Sequence, residues 1–481
     1  MKRFGIALLA LATVLCASFS VETFSQPGKD ARRTILTNGL TVITKEIHTA
    51  PVVSLSVWYR VGSRNESTGI TGISHLLEHL AFKGTKNFPQ EGETDRIIRR
   101  LGGSGNAGTN VDYTVYYVTL PSGKLDPAID IEADRMKNLL LKPEDVDMER
   151  PVVAEERKMR NEDSPTGLFW EEINSVAFKV HPYGWPIIGW MTDIMGINHD
   201  DITAYYASHY APNNAVVVVT GDMDSEKVIE KIKSAFGEIP KAPAPPPMRA
   251  VEPEQKVEKR IVFPSDKSNL AYVVYAWHAP SITGSDSPAL EVVSEVLSSG
   301  LESRLRKELV ETGLASSADA THDTNQDPYL FYIEVEAQPG TDTALIEKKL
   351  DEQILKLQTE KVTDYELKRA KNRFAARETF ENEGITAYGR KIGWFELTAG
   401  DYSFLDRYLE SIQKVSAEDV MKVSKKYFTP TNRTVGILVP TGAPSGAIEK
   451  QSGHGVDYGR FGAGKTSSDA KGEIEAKEKK A

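Results

Sequence analysis

The chain has 481 residues, 40% hydrophobic and 26% charged, a balance that suits a soluble globular protein of two or more domains rather than one core. Its formal charge of −10 argues against nucleic acid as the main partner. A lone cysteine, Cys16, excludes a disulfide framework and a thiolate metal cluster, so any metal must be held by histidine and carboxylate.

At the N-terminus, Lys2 and Arg3 precede an apolar run from Phe4 to Leu15 and small residues at Cys16, Ala17, Ser18 and Ser20. This is the pattern of a cleaved secretory signal, residues 1–20. The run is shorter than the about 20 apolar residues of a membrane span. Bulky Leu15 ahead of Cys16 speaks against lipidation there, and the uniformly apolar character speaks against a mitochondrial presequence. The expected location is therefore periplasmic or secreted.

The first block, residues 33–238, opens with alternating strands at 41–45 and 52–59. A helix follows that carries His75-Leu76-Leu77-Glu78-His79. Positions four apart share a helix face, so both histidines can reach one ion while Glu78 holds a water against it. With only nine histidines in the chain, this pair with an embedded glutamate is an uncommon coincidence. H-x-x-E-H is the order of the inverted zinc peptidases. A catalytic zinc takes three protein ligands and one open position, so a third donor must come from another element.

Next, Gly102–Tyr117 reads as a Gly-rich turn leading into a strand at 115–120. Residues 142–160 are the candidate third donor. Pro143 followed by acidic residues starts a helix there. Glu149 and Glu156 stand two turns apart on one face, with Glu155 alongside. Pro151 inside this pattern predicts a kink or a restarted helix.

Residues 239–257, with prolines from Pro240 to Pro247, read as an extended linker. The second block, 258–444, ends as the first does: Asp201–Val219 resembles Asp419–Ile437 at one constant offset, Pro212 over Pro430 and Asn214 over Asn432. An internal duplication is expected. The same offset sets Val293 and Leu297 opposite the two histidines, which leaves the second block without a metal site. Strands and helices mix without strict alternation. The predicted fold class is α+β: two homologous domains, each a mostly antiparallel sheet with helices packed on one face. Residues 445–481 hold few large apolar side chains and are expected to be disordered. Gly459–Thr466 matches the phosphate-loop pattern but lacks a core-forming strand before it and helix after it, so nucleotide binding is not expected.

Taken together, these motifs resemble the pitrilysin family of zinc peptidases, and most of all its smaller members, the mitochondrial processing peptidase subunits and their bacterial relatives. The resemblance spans residues 33–440 and rests on H-x-x-E-H followed, at the family's spacing, by E-R-x-x-V-x-x-E at Glu149–Glu156. It implies one zinc ion on His75, His79 and Glu156, in preference to Glu155. It further implies Glu78 as general base and Glu149 as a carboxylate that orients a histidine. The Gly102–Tyr117 segment resembles the family's G-x-x-N-A-x-T stretch. That likeness implies a sheet edge at Asn106, Ala107, Gly108 and Thr109 onto which a peptide adds as an extra strand, with small Gly105, Ala107 and Gly108 allowing close approach.

Self-sufficient relatives carry an arginine and a tyrosine in the zinc-free half. Here Tyr329 and Tyr332 are present, but no arginine lies between Arg306 and Arg369. The resemblance thus implies a homodimer or, the better fit, the zinc-bearing half of a heterodimer whose homologous partner supplies Arg and Tyr. The expected activity is a zinc metalloendopeptidase cutting extended peptides or unfolded segments. A non-catalytic structural subunit of the same family is the alternative.

Overall fold

The computed structural model describes residues 30–381 and 384–441; the expected signal at residues 1–20 with Cys16, and the expected tail with its Gly459–Thr466 motif, lie outside the described residues. The first half contains β1 (Arg32–Ile35), β2 (Thr41–Glu46), β3 (Val52–Tyr59), α1 (Ile73–Leu80), α2 (Glu93–Arg100), β4 (Ser104–Thr109) and β5 (Thr114–Pro121). It continues with α3 (Leu125–Asn138), α4 (Pro143–Arg157), α5 (Gly167–Ala177), α6 (Met191–Gly196), α7 (His199–His209), β6 (Ala215–Gly221) and α8 (Ser225–Phe236). The second half contains β7 (Lys259–Ser265), β8 (Tyr272–Ala279), α9 (Ser287–Ser298), β9 (Ala315–His322), β10 (Tyr329–Ala337) and α10 (Thr343–Thr359). Then come α11 (Asp364–Glu381), α12 (Ile385–Thr398), α13 (Phe404–Lys414), α14 (Ala417–Tyr427) and β11 (Arg433–Pro440). Among the described residues, no helix is long and apolar enough to cross a membrane.

Each half builds one sheet. The first runs β1-β2-β6-β3-β5-β4 and the second β7-β11-β8-β10-β9. Only β2–β6 and β7–β11 pair parallel; the rest is antiparallel, so the α+β prediction of two mostly antiparallel sheets holds. Leaving out the extra edge strand β1, the two orders coincide strand for strand, as a duplication requires. Val293 and Leu297 are fully buried, as their apolar periodicity anticipates.

Each sheet buries one face under its own half's helices. Val42, Leu55 and Val57 meet α1, α3 and α8 in the first half, and Val273, Tyr275 and Trp277 meet α9 in the second. The opposite face is covered by a helix exchanged from the other half. Helix α12 lies across β3 and β6, where Thr220 donates to the Ile385 carbonyl at 2.9 Å. Helix α5 returns the exchange on the second sheet, with Phe169 and Ile173 packed over Val274, Ala276 and Leu438. Double coverage explains why β6 is buried throughout and reads as an unbroken valine run instead of alternating.

Two local readings change. Helix α4 runs through Pro151 without restarting, and its irregularity falls further on, at a π turn over Lys158–Glu162. Pro151 faces solvent, where water can serve the carbonyl that loses its partner, while buried Val146, Glu149 and Val153 pin the helix to the core. The stretch 239–257 is free of helix and strand, as expected, but it is tied down: Glu252 accepts hydrogen bonds from the backbone of Lys179, Val180 and His181 at 2.8, 2.8 and 2.9 Å.

The exchanged helix α12 gives a test of this architecture. Its Gly393 sits against Trp58, and a Cβ there would lie 2.3 Å from the buried indole. On an exposed helix, Gly→Ala stabilises by about 1 kcal/mol. Here overpacking reverses the sign. Gly393→Ala is expected to lower the unfolding free energy by about 1–3 kcal/mol in urea titrations.

Candidate metal centre

Helix α1 has only eight residues, too short to hold itself, so its surroundings fix it. Gly72 enters it at φ +87, and its missing Cβ is required because the Ile188 carbonyl would stand 2.3 Å away. The buried carboxylate of Glu66 accepts from the Gly72 and Ser74 amides at 2.7 and 2.9 Å, capping donors that no preceding turn could satisfy. Asp193 holds the approach by accepting from the Gly69 and Thr71 amides and, at 2.7 Å, from the Thr71 hydroxyl. The helix therefore enters the core with one side chain register.

That register turns His75 and His79 toward α4. The Nε2 atoms of both face one oxygen: Glu156 Oε2 lies 3.7 Å from His75 and 3.2 Å from His79. Ligand atoms on a tetrahedral zinc with bonds near 2.0–2.1 Å stand about 3.3–3.4 Å apart. The two separations to Glu156 bracket that value, and the three residues form one group with all ligand atoms within 4.8 Å of one another. Two imidazoles and one carboxylate, with no thiolate, suit zinc in the three-ligand form that keeps a position open.

Charge follows the same geometry. Burial presses the His75 imidazole down to about 4. Burial also opposes charge on His79, but its hydrogen bonds to Glu149 and Glu156 outweigh it and lift the group to about 9. For Glu156 burial is again outweighed, by His79, His75 and Arg160, and its carboxyl is held down to about 2. Burial raises Glu78, partly offset by the hydrogen bond from Thr109.

Around the donors, the remaining sequence candidates fall as follows. Glu149 Oε1 meets His79 Nδ1 at 2.9 Å and so fixes the ring from behind. Glu155 points to solvent and pairs loosely with Lys158 at 3.9 Å. Asn106, Ala107, Gly108 and Thr109 lie on β4, the outermost strand of the sheet, which among the described residues pairs only with β5. Gly105 is small for a packing reason, since a Cβ would meet Val118 at 2.7 Å, whereas Gly108 faces open space. Tyr329 and Tyr332 serve the interface with α5: Tyr329 donates to Asn174 at 2.9 Å, and Tyr332 packs edge-on against Trp170.

Three contacts escaped the sequence reading. The Thr109 hydroxyl donates to Glu78 Oε2 at 2.6 Å, joining the sheet edge to the carboxylate beside the histidines. Lys83, four residues past His79, holds the second oxygen of Glu149 at 2.6 Å. Arg160 in the π turn holds Glu156 Oε1 at 2.7 Å. Lys83 and Arg160 each left a trace, standing four residues after His79 and Glu156 respectively, while Thr109 left none.

Comparison with known proteins gives a consistent result. A profile described as Insulinase (Peptidase family M16) matches residues 41–190, and one described as Peptidase M16 inactive domain matches residues 196–374. The chain is 32% identical over 448 residues to a protein named zinc protease PqqE of Helicobacter pylori, covering 92% of this chain and 100% of that one. A crystal structure of a protease from Helicobacter pylori superposes with a TM-score of 0.82 at 33% identity, over 85% of this chain and 99% of that chain. A Pseudomonas fluorescens structure titled peptidase M16 inactive domain shares the fold, with a TM-score of 0.77 at 19% identity over 86% and 100%.

The cap on α1 carries a pH signature. Burial lifts Glu66 from 4.5 to about 8 against the pull of its two amide donors. An acid whose folded value is raised keeps a proton the unfolded chain has released, so the fold loses stability as pH rises between those values. The slope is about 1.4 kcal/mol per pH unit. Glu66→Gln removes it, so the difference in unfolding free energy between the two proteins should move in the variant's favour from pH 5 to 8, as read by urea titration at several pH values.

Proposed function

The chain belongs to the M16 family of peptidases, and from that premise we propose that it is a zinc-dependent endopeptidase hydrolysing extended peptides or unfolded segments. One observation supports this above the rest: His75, His79 and Glu156 from two separate helices converge on one point, with Glu78 beside them and tied to the edge strand. A zinc ion held by those three residues would act as a Lewis acid, acidifying water and polarising a peptide carbonyl.

The chain's own groups supply the rest. Glu78 takes a proton from the attacking water as the C–O bond forms. It returns that proton to the peptide nitrogen as the C–N bond breaks. Glu149 holds His79 in one tautomer and orientation, backed by Lys83. The unpaired edge of β4 at Asn106, Ala107, Gly108 and Thr109 receives the substrate as an added strand, which aligns its backbone relative to Glu78.

The assembly we propose is a dimer, in the favoured form with a homologous subunit that contributes an arginine and a tyrosine. The sequence of the second half carries no arginine between Arg306 and Arg369, and Tyr329 and Tyr332 pack against α5. We place the mature protein in the periplasm or outside the cell on the strength of the segment 1–20.

Glu78→Gln is expected to keep one zinc per chain while lowering kcat by about 10²–10⁴-fold on an unstructured peptide. Retained hydrolysis would overturn the assignment. A chelator should abolish activity and added zinc restore it. A Cβ at Gly108 would meet nothing within 4 Å, so Gly108→Val should fold normally, yet it should raise KM by blocking the incoming strand. An unchanged KM would remove β4 from the substrate site.

A further inference from the structure

Glu156 presents its two oxygens to different partners. Oε2 faces the histidines at 3.2 and 3.7 Å, while Oε1 is turned to the guanidinium of Arg160 at 2.7 Å. The arginine is not carried on ordinary helix: α4 ends at Arg157 and widens into the π turn Lys158–Glu162. Such turns gather at functional sites because they re-aim side chains. The turn is anchored on both sides of Arg160. Arg157 reaches Glu171 with both Nη atoms at 3.0 and 2.9 Å, and Asn161 reaches the same carboxylate at 3.1 Å. Arg157 and Asn161 are both buried, so the position from which Arg160 extends is fixed.

An ion pair four residues apart with an arginine side chain 61% exposed adds little to stability. Its consequence lies in where it holds the carboxylate. A carboxylate free to rotate can offer a metal both oxygens and fill the position that water needs; one oxygen held elsewhere leaves that position open. Drawing charge toward Arg160 also weakens the remaining oxygen as a donor and leaves the ion a stronger Lewis acid.

We propose that Arg160 is a positioning residue that holds Glu156 Oε1 and so restricts this carboxylate to a single donor oxygen toward the metal. The inference rests on the zinc-site reading above. Its test uses the metal-loaded chain as wild type, Arg160→Gln and Arg160→Lys, with three readouts: metal stoichiometry, the visible spectrum after cobalt substitution, and peptide kinetics. Arg160→Gln should still bind one metal. Its cobalt absorption should weaken as a second carboxylate oxygen raises the coordination number. Its kcat should drop on the order of 10-fold at little-changed KM. Arg160→Lys should recover both the spectrum and most of kcat.

A cobalt spectrum and kcat unchanged in Arg160→Gln would overturn the proposal, as would a raised KM at unchanged kcat, which would mark a substrate contact. A wild-type chain that binds neither zinc nor cobalt would instead overturn the site reading itself.

Discussion

Two imidazoles one helical turn apart can share an ion only if a third donor from elsewhere is brought within reach of both, and the first half is organised around that requirement. Helix α1 is buried and too short to be stable alone, so Glu66, Asp193 and the close passage of Gly72 by Ile188 hold it in place. Helix α4 is long and half exposed, and it crosses α1 so that Glu149 and Glu156, two turns apart, straddle His79. Rigidity is concentrated on the element that carries two donors. The element that carries one is steered by Lys83 and Arg160, each of which takes a carboxylate oxygen the histidines do not use.

The second half keeps the layout and changes the chemistry. Helix α9 contacts β9 and α11 as α1 contacts β4 and α4. On α9, Glu291 and Glu295 repeat the four-residue spacing, and both hold the guanidinium of Arg377 from α11. The cation that ties the two helices is here part of the chain, so no metal is needed to balance the buried carboxylates. Because α5 and α12 are exchanged between the sheets, neither half can close its core without the other. The second half, whose described residues form no group that could hold a metal, therefore still has a structural task.

How much of this the sequence carried depended on whether the information was local. The two sheets, the repeat and the His75/His79 pair were legible because periodicity of two or four residues is written along the chain. Glu156 was separated from Glu155 only by resemblance, for neighbours on a helix differ by about 100° in direction and composition cannot say which faces inward. The exchange of α5 and α12 left no signal, since an apolar helix face does not name the sheet it covers. Pro151 is a different case: of the kink or restarted helix that a local rule predicts, the restart is absent, because tertiary packing at Val146, Glu149 and Val153 holds the helix together. Thr109–Glu78 depends on side-chain aim across the fold and has no spacing that announces it, whereas Glu156 and Arg160 stand four apart, a spacing that suggests a pair but not which carboxylate oxygen the arginine takes.

The link between Thr109 and Glu78 bears on what such a site can accept. Strand β4 lies at the sheet edge, and its last residue grips the carboxylate that would move the proton. A peptide that pairs with β4 is then placed relative to Glu78 by backbone hydrogen bonds alone, whatever its side chains. Pairing demands free amides and carbonyls on the incoming chain, and a segment within a helix or in the interior of a sheet has none to offer. Most of a folded protein would thereby, on the proposed function, be refused before any side chain is read, while unfolded segments would be admitted almost without regard to sequence. On the proposed function, selectivity of the first kind comes from hydrogen-bond supply, and only finer preferences are left to the side-chain surroundings of the strand.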